Sequence, residues 1–435
     1  MAPDYLSAST ALHTVSFSRT DLTILKKEDY DLPQMKGCLA SAEVGSPQLP
    51  VLTMSILLPP DAVVEGVRTV SSESVELKNR FDVYPVQHPS KPQEQLPFTT
   101  PDPSIYGTDH PYPSQSVQLT ASGNMRGYHI VSLLVYPLQY IPAEHRLILH
   151  TSISFAIDYV DGSPAASGPL RQSRASRSRF ENIVRGAIQN SNDHLIYTPP
   201  SSVQVDLSIA KERVGGFQPE PLPSLEGSAV DYLIITNDEM KPAFELLSDW
   251  KTAKGVPAVV KTMSEIKAVA PHGADDAETL RYFLTEAYQK WGVMWVLLGG
   301  DVSVIPVRYV RLQAGETAIS DQYYAALDGN WNADGDSFWG EYPSDEVDLY
   351  ADLFLGRAPV ETLEEAEYFV NKTLAYEHGL GEHQNKLLYL GEKLGAEDGK
   401  DYCERVDSQV NQEGLVKTKL YESDGNQNRD ATLSA

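Results

Sequence analysis

The stretch that most restricts the fold is "MWVLLGGD" at 294–301, a short run that is apolar on both faces and closed by two glycines and an aspartate. A strand with no polar face must be covered on both sides, as in a parallel sheet flanked by helices. The surrounding sequence has the same grammar from Val230 onward. "DYLIIT" (231–236) and "PAVVKT" (257–262) read as strands. Between them, "NDEMKPAFELLSDWKTAKG" (237–255) predicts a helix with polar starters Asn237 and Asp238, an apolar stripe at Phe244, Leu247 and Trp250, and a stop at Gly255. "DAETLRYFLTEAYQKWG" (276–292) predicts another, with its stripe at Leu280, Phe283, Leu284, Ala287 and Trp291. The pattern then repeats as helix 361–378, strand 386–391, helix 398–413 and strand 415–420. The expected architecture is α/β, with a mainly parallel sheet and right-handed crossovers.

The first 160 residues follow a different rule. "VLTMSILLPP", "AVVEGVRTV", "HIVSLLVYPLQYIP" and "LILHTSISFAIDYV" alternate with period two and are rich in β-branched residues. A loop carrying Pro85, Pro89, Pro92, Pro97, Pro101, Pro103, Pro111 and Pro113 interrupts them. Proline supplies no ladder donor, so this stretch is extended surface chain. A β-sandwich-like domain is expected at 1–165. Residues 166–228 read as a linker, because "DGSPAASGPLRQSRASRSRF" has the small, polar composition of flexible chain. The linker carries Arg171, Arg174, Arg177 and Arg179 within an otherwise acidic protein. Such a run is a solvated tail, a nucleic-acid contact, or an exposed site for a trypsin-like protease. The α/β region then divides into a first subdomain at 229–380 and the start of a second at 381–435.

Charge excludes one class of function. With 60 acidic against 35 basic side chains and a net charge of -25, the chain repels phosphate backbones, so nucleic acid is not expected as a partner. Two cysteines, Cys38 and Cys403, rule out a disulfide framework and a cysteine-based zinc cluster. No apolar run is long enough to span a membrane. The opening "MAPDYLSAST" lacks the basic and apolar regions of a secretory signal, which leaves a cytoplasmic protein or one whose true beginning was removed.

Chemistry in open parallel sheets gathers beyond the carboxyl ends of strands. Asp301 follows strand 294–300 and Glu392 follows strand 386–391, so both stand where a catalytic carboxylate would, although helix caps and turns use the same residue types. A second signal is "LDGNWNADGDSFWGE" at 327–341. Counted from Asn330, the oxygen-bearing Asn332 and Asp334 fall at positions 3 and 5, Asp336 at 7 and Glu341 at 12, with Gly335 at the turn. That is the ligand spacing of an EF-hand calcium loop, with Asp328 as an alternative first ligand and Asp345, Glu346 and Asp348 close by. The competing reading is a polar hairpin loop. No P-loop, G-x-S-x-G or H-E-x-x-H is present. Cys403 shares a helical stripe with Val406 and Val410, which predicts a buried, inert thiol, and Cys38 has no histidine near it in sequence.

Several of these segments occur together in one known family. "YLIITNDEMKPAFELLSDWKTAKG", "WVLLGGDVSVIP", "SDQYYAAL", "LFLGRAPVETLEEAEYFVNKTLAYE" and "LLYLGE" resemble, in order and spacing, the gingipain family of cysteine peptidases, whose fold is caspase-like. "GSPQLPVLTMSILLPPDAVV" and "GYHIVSLLVYPLQYIP" are similar to that family's amino-terminal propeptide. The resemblance implies a secreted or cell-surface zymogen acting on protein or peptide substrates, with its own propeptide as intramolecular inhibitor and an arginine-bearing linker cut during activation. It implies that Glu392 orients a catalytic histidine that, with the cysteine, lies later than "NRDATLSA", so that residues 1–435 alone are inactive. It places a specificity residue among Asp398, Lys400 and Asp401, where an aspartate favours Arg or Lys at the cleaved bond and Lys400 argues the opposite. It also matches Asp301 and Asp321 to acidic positions near structural calcium sites. The alternative is a non-catalytic surface or secretion-associated binding module on the same scaffold.

Overall fold

A computed structural model of the chain describes residues 8–88, 96–162, 170–172, 174–192, 217–312, 316–341, 344–379, 381, 385–394, 397–410 and 414–434. The chain falls into two compact units, Met1–Val86 with Thr100–Val370, and Gln87–Thr99 with Asn371–Ala435.

The first unit opens with strands β1 (Ala8–Ser16), β2 (Pro50–Leu58), β3 (Ala62–Glu76), β4 (Val117–Met125), β5 (Tyr128–Val135) and β6 (Arg146–Asp161). One antiparallel sheet has the order β1–β6–β3, and the other pairs β2 with β5 and β5 with β4. Alternation explains the sandwich. Ile56 and Leu58 from β2, Val131 and Leu133 from β5, and Phe155 and Ile157 from β6 form one buried cluster between the sheets. Each such side chain contributes roughly 1.5–3 kcal/mol when fully buried. Strands β4 and β5 are joined by a two-residue turn, Arg126–Gly127, with φ of 51° and 83°. Positive φ at both positions is what a tight hairpin requires, and it is uncommon for an arginine.

The linker expectation is corrected over part of its length. Residues Arg174–Ala187 form helix α1. Phe180, Val184 and Ile188 recur every fourth residue and are buried. That stripe is amphipathic, and the serines and arginines between its members disguise it as flexible chain. Val184 and Ile188 pack against Leu57, Tyr128 and Ile130 of the sandwich. The Asn190 side chain then pins the end of the segment to β2, accepting from Leu57 N at 2.9 Å and donating to Leu57 O at 2.8 Å. Residues 163–169 and 193–216 lie outside the described residues.

The α/β half of this unit follows the expected order: β7 (Tyr232–Thr236), α2 (Lys241–Ala253), β8 (Ala258–Thr262), α3 (Met263–Val269), α4 (Asp276–Glu286), β9 (Trp295–Gly299) and β10 (Phe354–Ala358). The four strands are all parallel, in the order β8–β7–β9–β10. From β7 the chain runs out to β8 and returns on the other side as β9, so a topological switch point lies beyond the carboxyl ends of β7 and β9. Beyond α4 the predicted helix continues as a π-turn, Ala287–Trp291, and stops at Gly292 with φ 81°.

After helix α5 (Leu363–His378), the second unit contains strand β11 (Lys386–Gly391), helix α6 (Gly399–Gln409), strand β12 (Val416–Tyr421) and helix α7 (Arg429–Ser434). β11 and β12 pair in parallel. β11 is less buried than its sequence predicts: Tyr389 and Gly391 face inward, while Leu388 and Leu390 are 41% and 44% exposed. α6 contacts β11, and Leu388 and Leu390 alternate with the buried positions, so their face is the other one. The buried cysteine stripe is also corrected. Val406 is 57% exposed, and Cys403 is only half-buried, its Sγ donating to Leu390 O at 3.4 Å. Helix α6 instead turns Asp407 toward the hydroxyl of Tyr389.

Candidate functional site

Glu392 stands directly beyond β11, and Glu422 directly beyond its neighbour β12. The register pairs Gly391 with Tyr421, so the two glutamates leave the sheet at one level. Glu392 is exposed, and its backbone carbonyl accepts from Gly399 N at 2.9 Å. Glu422 is tied down, accepting from Lys393 N at 2.8 Å. Both line a surface depression with Gln427, Asn428 and Arg429. Asp398 caps α6, accepting from Lys400 N at 2.9 Å; that bond, and one from Ser423, holds its carboxyl below the usual range. The Lys400 ammonium pairs with Asp424 at 2.6 Å, and Asp401 is exposed.

The 330–341 loop is organised by its own side chains. Asn330 accepts from Asn332 N, Asp334 from Asp336 N and Asp336 from Phe338 N, so each oxygen turns the chain two residues on. The Asn332 amide donates to Asp336 O at 3.1 Å. From outside the loop, Asp345 accepts from Ala333 N at 2.6 Å and Glu341 N at 2.9 Å. The result brings oxygens of Asp334, Asp336 and Glu341 within 4.8 Å of one another. Burial first, then the charges of Asp336 and Asp334, raise the Glu341 carboxyl above its ordinary pKa. Mutual repulsion of this kind is what a bound cation relieves. Asp328 lies elsewhere, half-buried near Arg281.

Asp301 and Asp321 are not part of that group among the described residues. Asp301 holds a turn, accepting from Ser303 N at 2.8 Å and Ser303 Oγ at 2.7 Å. Asp321 makes a bidentate pair with Arg357, both oxygens at 2.7 Å. Of the linker arginines, Arg171 is buried and donates to Gly227 O at 3.0 Å, Arg177 is half-buried, and Arg179 is exposed over the Trp295 ring. The Arg174 side chain lies outside what is described. Cys38 sits at the edge of the sandwich core, where burial pushes its thiol pKa up, the opposite of what a nucleophile needs.

Sequence reasoning missed a buried polar cluster at the amino-terminal ends of β9 and β10. Asp352 is fully buried and accepts from Arg126 N at 2.7 Å and Leu327 N at 2.9 Å. Asp348 accepts from Asn124 N at 2.6 Å and Tyr350 N at 2.8 Å. Burial dominates both groups, pushing Asp348 up to about 6 and raising Asp352 as well. Arg126 is itself fully buried, its guanidinium against the carbonyls of Gly292, Val293 and Asp352.

Comparison with known proteins gives two family matches. Residues 226–434 match the family model described as Peptidase family C25, and residues 11–193 match the one described as Propeptide_C25. Gingipain R2 of Porphyromonas gingivalis (strain ATCC BAA-308 / W83) is 22% identical over 427 residues, 95% of this chain and 50% of that protein. Lys-gingipain W83 of Porphyromonas gingivalis is 21% identical over 414 residues, 91% of this chain and 20% of that protein. The chain therefore spans about half the length, or less, of the curated relatives it matches. Among solved structures, the complex of Porphyromonas gingivalis RgpB pro- and mature domains is 22% identical with a TM-score of 0.34, covering 42% of this chain and 93% of that one. Dimeric latent PorU from Porphyromonas gingivalis is 12% identical with a TM-score of 0.30, covering 92% of this chain and 43% of that one.

Proposed function

Since the chain belongs to the gingipain family, with a C25 propeptide ahead of a C25 peptidase region, we propose that it is part of the precursor of a secreted or cell-surface cysteine endopeptidase. Glu392 is the residue on which the mechanism turns, and the observation that carries this reading is its position beyond the carboxyl end of a parallel strand, where such sheets do their chemistry. In this mechanism a thiolate attacks the scissile carbonyl, a histidine carries the proton to the leaving amine, and Glu392 accepts a hydrogen bond from the histidine's far nitrogen. That bond fixes the tautomer and stabilises the imidazolium. The reading places the cysteine and histidine beyond Ala435, because Cys38 has a raised thiol pKa and Cys403 is bonded to a backbone carbonyl. Residues 1–435 alone then hydrolyse nothing.

Four further assignments belong to the same proposal. Asp334, Asp336 and Glu341, with Asn330 and Asn332 shaping the loop, hold a structural calcium ion. The β-rich half is the chain's own inhibitory propeptide, and its bonds to Asp348 and Asp352 attach it to the peptidase region. Processing within 171–185 proceeds by local opening of α1, since a protease reads extended chain and Arg171 is buried. Asp398 or Asp401 selects a basic residue at the cleaved bond, with Lys400 neutralised by Asp424.

The test is Glu392→Gln in the full-length protein, assayed on peptide substrates. We expect kcat to fall about 10²–10⁴-fold with little change in KM, as when an orienting carboxylate is lost. Unchanged kcat in the folded variant removes Glu392 from the mechanism. A full-length wild type with no activity on any peptide supports the binding-module reading, which the exposure of Glu392 favours.

A further inference from the structure

Arg126 has no exposed surface, although it sits on the two-residue turn between β4 and β5, where an arginine ordinarily points into water. Burying a guanidinium costs several kcal/mol unless its donors are met. Here three backbone oxygens meet the two terminal nitrogens, while Nε makes no hydrogen bond among the described residues. Nη1 donates to Val293 O at 3.0 Å and Asp352 O at 3.1 Å, and Nη2 donates to Gly292 O at 3.3 Å. Two of these carbonyls come directly after the π-turn that closes α4, where helix carbonyls lack internal partners and carry the negative end of the dipole. The planar group also lies 4.8 Å from the Phe180 ring and 4.9 Å from the Tyr288 ring.

The backbone of the turn is held too. Arg126 N and Asn124 N donate to the buried carboxylates of Asp352 and Asp348. Gly123 must be a glycine, because a Cβ there would come 2.2 Å from Asp348 Oδ1. A flat fork reaching three carbonyls and lying close to two rings calls for guanidinium chemistry, which an ammonium cannot reproduce.

We propose that the amino-terminal pole of the C25 sheet carries a socket for an arginine-bearing β-turn, that Arg126 is its built-in occupant, and that this plug holds the propeptide in place after the linker is cut. The proposal rests on the reading of the β-rich half as a propeptide that is cleaved. It separates attachment from the catalytic end. Strand β9 runs from Trp295 to Gly299, so the socket lies roughly 15 Å, one strand length, from the carboxyl ends where Asp301 sits. The hairpin is an anchor, leaving the catalytic end to other parts of the chain.

The experiment uses the full-length precursor with a specific protease site inserted within residues 193–216. After cutting, the two pieces are diluted and followed by size exclusion. Wild-type pieces are expected to co-elute. Those of Arg126→Lys, which keeps charge and most of the volume but loses the fork, should separate at least tenfold faster, and Arg126→Ala faster still. Because the alanine variant can fail to fold, a cyclic peptide displaying Asn-Met-Arg-Gly-Tyr is also added to cut wild type. It should speed release, and its arginine-to-alanine form should not. Wild-type pieces that part at once, Arg126→Lys pieces that part at the wild-type rate, or a peptide without effect overturn the socket. Peptidase activity is measured separately, so an inactive protein whose pieces stay joined through Arg126 defeats only the enzymatic reading.

Discussion

Calcium should stabilise the first unit by a small, calculable amount. Three carboxylates converge at 334–341, and Asp334 and Asp336 are exposed, so the site belongs with loops that bind calcium at about 10⁻⁴–10⁻³ M. With a Kd of about 0.5 mM, 5 mM calcium contributes RT ln 11, about 1.4 kcal/mol. For a unit of this size that raises Tm by about 2 °C. The loop also carries its own reporters. Gly340 N donates to Trp331 O, Arg311 N donates to Trp339 O, and the Arg308 guanidinium lies 3.7 Å from the Trp339 ring centre. Arg308 is anchored in turn by two bonds to Asp275, the cap of α4. Tightening the loop should change tryptophan emission over the same calcium range as Tm. Asp334→Asn with Asp336→Asn should abolish both responses, while Asp321→Asn, whose partner is Arg357, should leave the calcium increment intact. No shift in wild type, or a full shift in the double variant, refutes the loop as the site.

Two further perturbations test the buried acids. Asp348, pushed up to about 6 by burial and then by the charge of Asp328 against the opposing pull of its two N–H donors and Arg281, favours its protonated form in the fold, so its contribution is full below its unfolded pKa and is lost as pH rises through about 6. Unfolding free energies from urea melts should therefore be higher at pH 5 than at pH 7.5, by about 1.4 kcal/mol; a stability that climbs with pH over this range contradicts the assignment. Below about pH 4 the trend reverses, because groups such as Asp158, held down by its bond from Arg68, begin to protonate. Gly123→Ala forces a methyl against the Asp348 carboxylate and should cost about 2–4 kcal/mol in a urea melt, whereas Gly66→Ala, with open space at its Cβ, should cost under about 1 kcal/mol. Equal losses in the two variants would show that the hairpin is not seated on Asp348.

The parallel sheet was legible because burial on both faces leaves a local mark: "DYLIIT", "PAVVKT" and "MWVLLGGD" each became a strand within a residue or two of their predicted ends. The sandwich was legible through alternation. Helix α1 was not, since its apolar stripe is only Phe180, Val184 and Ile188, the buried residue a turn earlier is Ser176, and the residues between have the composition of a tail. The 330–341 loop was readable because its oxygens act on neighbours two residues away, a range that spacing records.

The Arg126 socket shows the other limit. The turn itself had a local signature, a two-residue Arg-Gly link between alternating strands. What buries the arginine lies 226 residues later in the chain. Asp348 makes the same point from the acidic side. In sequence it stands three residues from Asp345 and reads with it as a cation ligand, yet the fold assigns the two carboxylates different partners. Asp345 takes N–H groups of the neighbouring 330–341 loop, and Asp348 takes that of Asn124 across the propeptide contact. A carboxylate buried against other acids needs donors, and either a metal ion or backbone amides can supply them. Composition counts the demand for donors; only the fold decides which kind meets it. In this chain the buried part of the demand is met by backbone N–H groups of a propeptide hairpin, Asn124 N on Asp348 and Arg126 N on Asp352.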